Sequence, residues 1–137
     1  MNLIHSYTIL GRPVSVNHAY ISAVRGKRVI RFPSKEFKAV KEFVKKFCVK
    51  DLAEPTDKDL FVIIDLYYPD KRRRDLDNPL KVIFDSGNKV IWNDDSQIKN
   101  LYVESHLDRE IPRTEVYVYE KPWKNLHLGR TIKRISI

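Results

Sequence analysis

A single cysteine, Cys48, stands among 137 residues, so the chain can close no disulfide within itself, and a reducing cytoplasm is the compartment expected for it. The lone thiol falls in an amphipathic segment and is expected to be a small core residue rather than a nucleophile. No apolar run is long enough to span a membrane. The opening MNLIHSYTILGRP has neither the basic start nor the small-residue cleavage site of a signal peptide. Repeats, low-complexity tracts and Ser/Gly linkers are also missing, which argues for one unit, long enough to bury a core. The four histidines, His5, His18, His106 and His127, are scattered without metal-ligand spacing and are expected to be structural or surface residues.

What is present is a globular composition, 42% apolar and 11% aromatic, carrying a net charge of +8. Such a field attracts phosphate backbones. The charge is uneven. Between Arg25 and Lys50 ten Lys or Arg face two Glu, and from Lys121 onward five cations stand without a carboxylate. The acids gather in the middle, around Asp75, Asp77, Asp85, Asp94 and Asp95. A basic chain with an acidic island is arranged for more than binding.

The element signals are local. NLIHSYTIL alternates as a first strand, closed by Gly11 and Pro13, and PVSVNHAYISA and KRVIRF read as extended pieces around a basic loop. After Pro33 a helix is expected, with Ser34 as N-cap and Phe37, Val40, Phe43, Val44, Phe47 and Cys48 on its apolar face. Its other face, with Lys38, Lys41, Lys45 and Lys46, is either solvated or laid against phosphates. LFVIIDLYY is the strongest strand signal. A short helix comes next, with Asn78 as cap, Pro79 in its first position and Leu80, Ile83 and Phe84 inward, stopped by Gly87 and Asn88. IKNLYVESHL and RTEVYVYE are expected to pair antiparallel. Strands and helices mix without a βαβ rhythm, which gives an α+β fold: one compact domain over residues 1–120, a mixed β-sheet with flanking helices, then a basic tail over 121–137 of open structure.

The stretch KRRRDLDNPLK sets four cations against two aspartates spaced i, i+2. In an extended loop residues two apart project to one side, so Asp75 and Asp77 can face one point, with Lys81 a helical turn further on. Carboxylates of this kind suit Mg²⁺, which takes oxygen ligands and leaves positions for water and phosphate. Two such ions can drive phosphodiester hydrolysis. The plainer reading is also open: DLDN and DDS as helix caps, with the acids paired to Arg72, Arg73 and Arg74. Two other enzyme patterns fit poorly. A haloacid-dehalogenase-type phosphatase places its D-x-D directly at a strand end, where KRRR intervenes here. A PD-(D/E)xK nuclease needs an acid two residues before a lysine, and no lysine after Asp70 has one.

The continuous run RRRDLDNPLKVIFDSGNKVIWNDDSQI, from Arg72 to Ile98, closely resembles the signature of the RusA family of Holliday junction resolvases, endodeoxyribonucleases of bacteria and their prophages. GRPVSVNHAY resembles that family's N-terminal region, and the resemblance extends over residues 1 to about 120. It is specific, because DLDN, the lysine four residues after its second Asp, and W-x-DDSQ occur together and in order. The resemblance implies that Asp75, Asp77 and Asp95 are catalytic, metal-binding carboxylates and that Lys81 stabilises charge on the phosphate. It implies that Arg72, Arg73 and Arg74, with Lys81, contact DNA. It also implies a homodimer that cuts four-way junction DNA with Mg²⁺, or with Mn²⁺, in a bacterial or prophage-encoded setting in the cytoplasm. Asp94 falls outside that ligand set, with orienting its neighbour as the role open to it. Two positions depart from the pattern: Pro79, harmless at a helix start, and Gly87, which is expected to shorten the helix and loosen the loop to Trp92. Trp92 itself is read as core packing that holds the Asp94–Asp95 loop, with base stacking as the alternative. A junction- or DNA-binding protein without catalysis is the other function class left open.

Overall fold

The strand LFVIIDLYY alternates in burial along its whole length: Leu60, Val62, Ile64, Leu66 and Tyr68 are buried, and the residues between them half-buried. Each fully buried aliphatic of this kind contributes about 1.5–3 kcal/mol by leaving water, so this strand organises the rest. The computed structural model describes residues 1–122. In chain order it contains β1 (Leu3–Leu10), α1 (Val16–Ala19), β2 (Tyr20–Arg25), β3 (Arg28–Pro33), α2 (Lys35–Phe47), β4 (Leu60–Tyr68), α3 (Leu80–Gly87), a 3₁₀ turn (Asp95–Gln97), β5 (Ile98–Leu107) and β6 (Arg113–Glu120). The basic tail from residue 123 on, with His127, lies outside the described residues. No described helix is long and apolar enough to cross a membrane.

The sheet order is β1-β6-β4-β5, and β2 and β3 form a separate two-stranded ribbon. β4 pairs antiparallel with β6, with Ile64 opposite Val116, and parallel with β5, with Asp65 opposite Glu104. The fold is therefore α+β with a mixed sheet, as the sequence indicated. The expected pairing of IKNLYVESHL with RTEVYVYE does not form. The most apolar strand takes a partner on each side, which places β4 between them and leaves β5 at the edge, half-exposed.

One face of the sheet is covered by α2 and α3. Ser34 caps α2 by accepting a hydrogen bond from Phe37 N at 3.2 Å. The helix then buries Phe37 and Val44, with Val40 and Phe43 packed against the core. Cys48 is buried at its end, and burial pushes the thiol up to about 11, which suits a packed residue and not a nucleophile. Phe47, expected on the apolar face, is 68% exposed and only leans on Phe43, because it lies at the rim of the stripe. VNHA, expected to be extended, winds into one helical turn, since Ser15 accepts from Asn17 N and Val16 N is tied to the Asn78 carbonyl.

α3 begins one residue later than expected, and no side chain caps it. The chain is already coiled before it: Asn78 N bonds the Asp75 carbonyl and Leu80 N the Asp77 carbonyl, so Asn78 is inside a turn and not at a cap. Gly87 does not loosen the loop to Trp92. Its carbonyl accepts from the backbone nitrogens of Val90, Ile91 and Trp92, and Trp92 is fully buried, its Nε1 donating to Asn88 Oδ1 at 2.9 Å. Trp92 is the core residue the sequence suggested, and it holds the loop that carries Asp94 and Asp95.

Candidate active site

β4 ends in Pro69 and Asp70, and Asp70 organises the basic loop beyond it. Its carboxylate accepts from Arg74 Nη2 at 2.6 Å, from Arg12 Nη2 at 3.2 Å and from Arg72 N at 3.1 Å. Arg74 also donates to the carbonyls of Asp70 and Arg72 and lies 4.3 Å over the Tyr68 ring. The Arg74 hydrogen bond, aided by Arg72, holds the Asp70 carboxyl below the usual carboxylate range. Arg74 is thus a strut of the loop, while Arg72 and Arg73 point outward and are exposed. Asp70 was not singled out from the sequence. The signal for it was its spacing of four residues from Arg74, hidden among many charges.

This arrangement bears on the plainer reading of the aspartates. Arg12, Arg72 and Arg74 pair with Asp70 and not with Asp75 or Asp77. Among the described residues the side chains of Asp75 and Asp77 have no hydrogen bond or ion pair, and both are exposed. Asp75 lines a hollow of about 850 Å³ together with Arg12, His18, Arg72, Arg73 and Arg74. Four guanidinium groups around one open concavity make a site for phosphate oxygens.

A second hollow of about 420 Å³ lies along α3 and the start of β5, lined by Lys81, Asp85, Asp95, Lys99 and Asn100. Lys81 Nζ is 3.2 Å from Asp85 Oδ2, which also accepts from Tyr20 Oη at 2.6 Å. Burial first, and the Asp85 hydrogen bond second, push the Tyr20 hydroxyl up to about 12, so it remains a donor at neutral pH. Asp95 stands half-buried, its Oδ2 3.4 Å from Asn88 Nδ2. The neighbouring Asp94 is occupied: it accepts from Ser96 N at 2.9 Å, and Gln97 Oε1 accepts from Asp94 N in return, a capping box. The Ser96 hydrogen bond holds the Asp94 carboxyl below the usual range. Gln97 in turn donates to the Thr56 and Lys58 carbonyls. Asp94 therefore builds the turn, and Asp95 is the acid presented from it. The structure brings Lys81 and Asp95 to one hollow and Asp75 to the other, and Asp77 lies on the turn between the loop and α3. Asp85 and Asn100 are the lining residues that sequence reasoning did not assign. Asn100 Oδ1 is buried without a partner.

On the sheet face away from the helices, the donor atoms of Asp65, Glu104 and His106 lie within 4.8 Å of one another, the group of three among the described residues that could hold an ion. His106 Nε2 is 2.8 Å from Asp65 Oδ1, and the imidazole stacks on Tyr67 with centroids 4.6 Å apart. Two carboxylates and an imidazole favour a borderline metal such as Mn²⁺ or Zn²⁺ over Mg²⁺. Nothing local reveals this set, because Asp65 and His106 are joined only by the parallel register of β4 and β5. A family model described as endodeoxyribonuclease RusA matches residues 11–119. No curated protein matches the chain.

Proposed function

From the chain's membership of the RusA family of Holliday junction endodeoxyribonucleases, we propose that this protein resolves four-way DNA junctions by metal-dependent hydrolysis at Asp75, Asp77, Asp95 and Lys81. The observation that carries the reading is the pairing of Arg72 and Arg74 with Asp70, which leaves Asp75 and Asp77 exposed and unpaired beside a cationic hollow. Free carboxylate oxygens are the donors that Mg²⁺ or Mn²⁺ takes, so Asp75, Asp77 and Asp95 fit the ion in donor type, while their donor atoms are not gathered within 4.8 Å as those of Asp65, Glu104 and His106 are. When bound by Asp75, Asp77 and Asp95, it would supply an activated water and neutralise charge at the scissile phosphate.

The remaining steps belong to the side chains. Arg72 and Arg73 hold the backbone on either side of the phosphate, and Arg74 keeps their loop in shape. Lys81, held toward the second hollow by Asp85, stabilises the negative charge that develops as the bond breaks. Resolution needs two symmetric nicks, and a C₂ dimer supplies two equivalent sets of residues.

A second location for the ion has its own observation in its favour, the convergence of Asp65, Glu104 and His106. One assay separates the two. A labelled four-way junction is incubated with Mg²⁺, with Mn²⁺ and with EDTA, using wild type, Asp75→Asn, Asp77→Asn, Asp95→Asn and His106→Gln. The three Asn variants should lose cleavage by orders of magnitude while metal-free junction affinity holds or rises, and His106→Gln should cut normally. Near-normal cleavage by any Asn variant removes that residue from the ligand set. Loss confined to His106→Gln would move the reaction to the sheet face.

A further inference from the structure

The β2–β3 ribbon has a face without a partner. Its register pairs Ile21 with Phe32, Ala23 with Ile30 and Arg25 with Arg28, so alternation puts Ile21, Ala23, Ile30 and Phe32 on one side, with two arginines at the tip. The other side carries Arg31 with Val24 and Val29, the last two 74% and 70% exposed. All the anchors are at the base: Ser34 N to the Ala19 carbonyl at 2.8 Å, the Tyr20 ring edge-on to Phe37, and Tyr20 Oη on Asp85. An isolated two-stranded ribbon is marginal in water and gains from something to lie against.

Charge says what that is. From Met1 to Lys35 the sequence contains no Asp or Glu, and the ribbon exposes Arg25, Lys27, Arg28 and Arg31. Two such ribbons repel one another, whereas a polyphosphate backbone complements them. An apolar face gains little against an intact duplex, whose base faces are stacked out of reach. At the branch point of a junction some base faces are open, and apolar side chains of a bound protein insert there at a tolerable cost in unstacking. Two strands about 4.8 Å apart also pass within a groove about 12 Å wide.

We propose that the β2–β3 ribbon is a wedge that enters the branch point of four-way DNA, with Ile21, Ile30 and Phe32 against unstacked bases and Arg25, Lys27, Arg28 and Arg31 on the flanking phosphates. This rests on the proposed junction-cutting function and adds the element that selects the branched substrate. The wedge rises from the second hollow, since its first residue, Tyr20, bonds the same carboxylate as Lys81. Strands parted by the ribbon are thereby delivered to Lys81 and Asp95.

The test uses the full chain and two variants, I21S/I30S/F32S and R25Q/R28Q, with circular dichroism to confirm that each is folded. Affinity is measured in EDTA for a four-way junction and for a linear duplex of equal length. A 2-aminopurine placed at the branch point reports unstacking, and sedimentation reports assembly. The serine variant should lose at least tenfold in junction affinity, change less than twofold on duplex and abolish the 2-aminopurine signal. The R25Q/R28Q variant should reduce the slope of log affinity against log salt by about 2, from two lost phosphate contacts. A serine variant that keeps its junction preference overturns the wedge, and so does one that sediments as a smaller species than wild type, which would make the ribbon a contact between copies. A wild-type chain that binds junctions and never cuts them would overturn the catalytic reading instead, and the binding comparison would still decide the wedge.

Discussion

Gly87 has no side chain because Trp92 occupies the space: a Cβ there would lie 2.5 Å from the indole, with a ring that is fully buried and cannot retreat. Gly87→Ala should therefore cost about 1–3 kcal/mol of stability, the range for overpacking a filled core, read as a lower denaturant midpoint. Cleavage should fall as well, since Trp92 anchors the loop that presents Asp95. Lys81→Met belongs to a different class, because the ammonium is more than half exposed and the fold does not depend on it. Its loss should slow cleavage by ~2–4 kcal/mol if Lys81 acts as a donor to the developing charge, with junction affinity little changed in single-turnover assays. A Met variant that binds far worse but cuts normally at saturation would make Lys81 a backbone contact.

The elements that could be read from the sequence are those whose signal is local. A run of β-branched and aromatic residues announced β4, and a serine followed by helical spacing announced α2 and its cap. Ser34→Ala should cost about 1 kcal/mol, measurable as a shift in thermal midpoint, because that hydroxyl is buried and caps the helix directly. What could not be read was decided by competition or register. β5 and β6 are each acceptable partners for the other, and only the stronger claim of β4 separates them. α1 is a single turn, too short to show a period. Asp75, Asp77, Lys81 and Asp95 are proposed from a motif, and their surroundings could not be read: which acid pairs with Arg72 and Arg74, and which holds Lys81, depends on Asp70 and Asp85 winning against several neighbours. His106 was beyond reach, since only the parallel ladder brings it to Asp65.

For the whole molecule, stability at low pH depends on four carboxyls. Asp70 is held below the usual range mainly by Arg74, Asp94 by Ser96, Glu115 mainly by Arg113, and Asp108 by Ile111 N and then Arg113. A carboxyl depressed in the folded state stabilises it above the ordinary carboxylate range and loses that contribution as acid titrates the native form. The thermal midpoint should thus be nearly level between about pH 7 and 5 and fall steeply below about pH 4. Arg113→Gln should make that fall shallower, since it removes the largest cause at Glu115 and a main one at Asp108. An unchanged acid limb in this variant would mean the Arg113 ion pairs, 2.7 and 2.8 Å long, are offset by desolvation. The strand order has a consequence of another kind, in time. In the sheet β1 and β4 are joined only through β6, the last described strand, and the candidate residues from Asp75 to Asp95 hang between β4 and β5. During synthesis a nascent chain stopped short of Arg113 has its first strand and its central strand already made and lacks the strand that pairs with both. A chain released before β6 should therefore lack the completed sheet from which the candidate residues hang, to be checked as loss of cooperative unfolding and of junction cleavage in a truncation at Ile111.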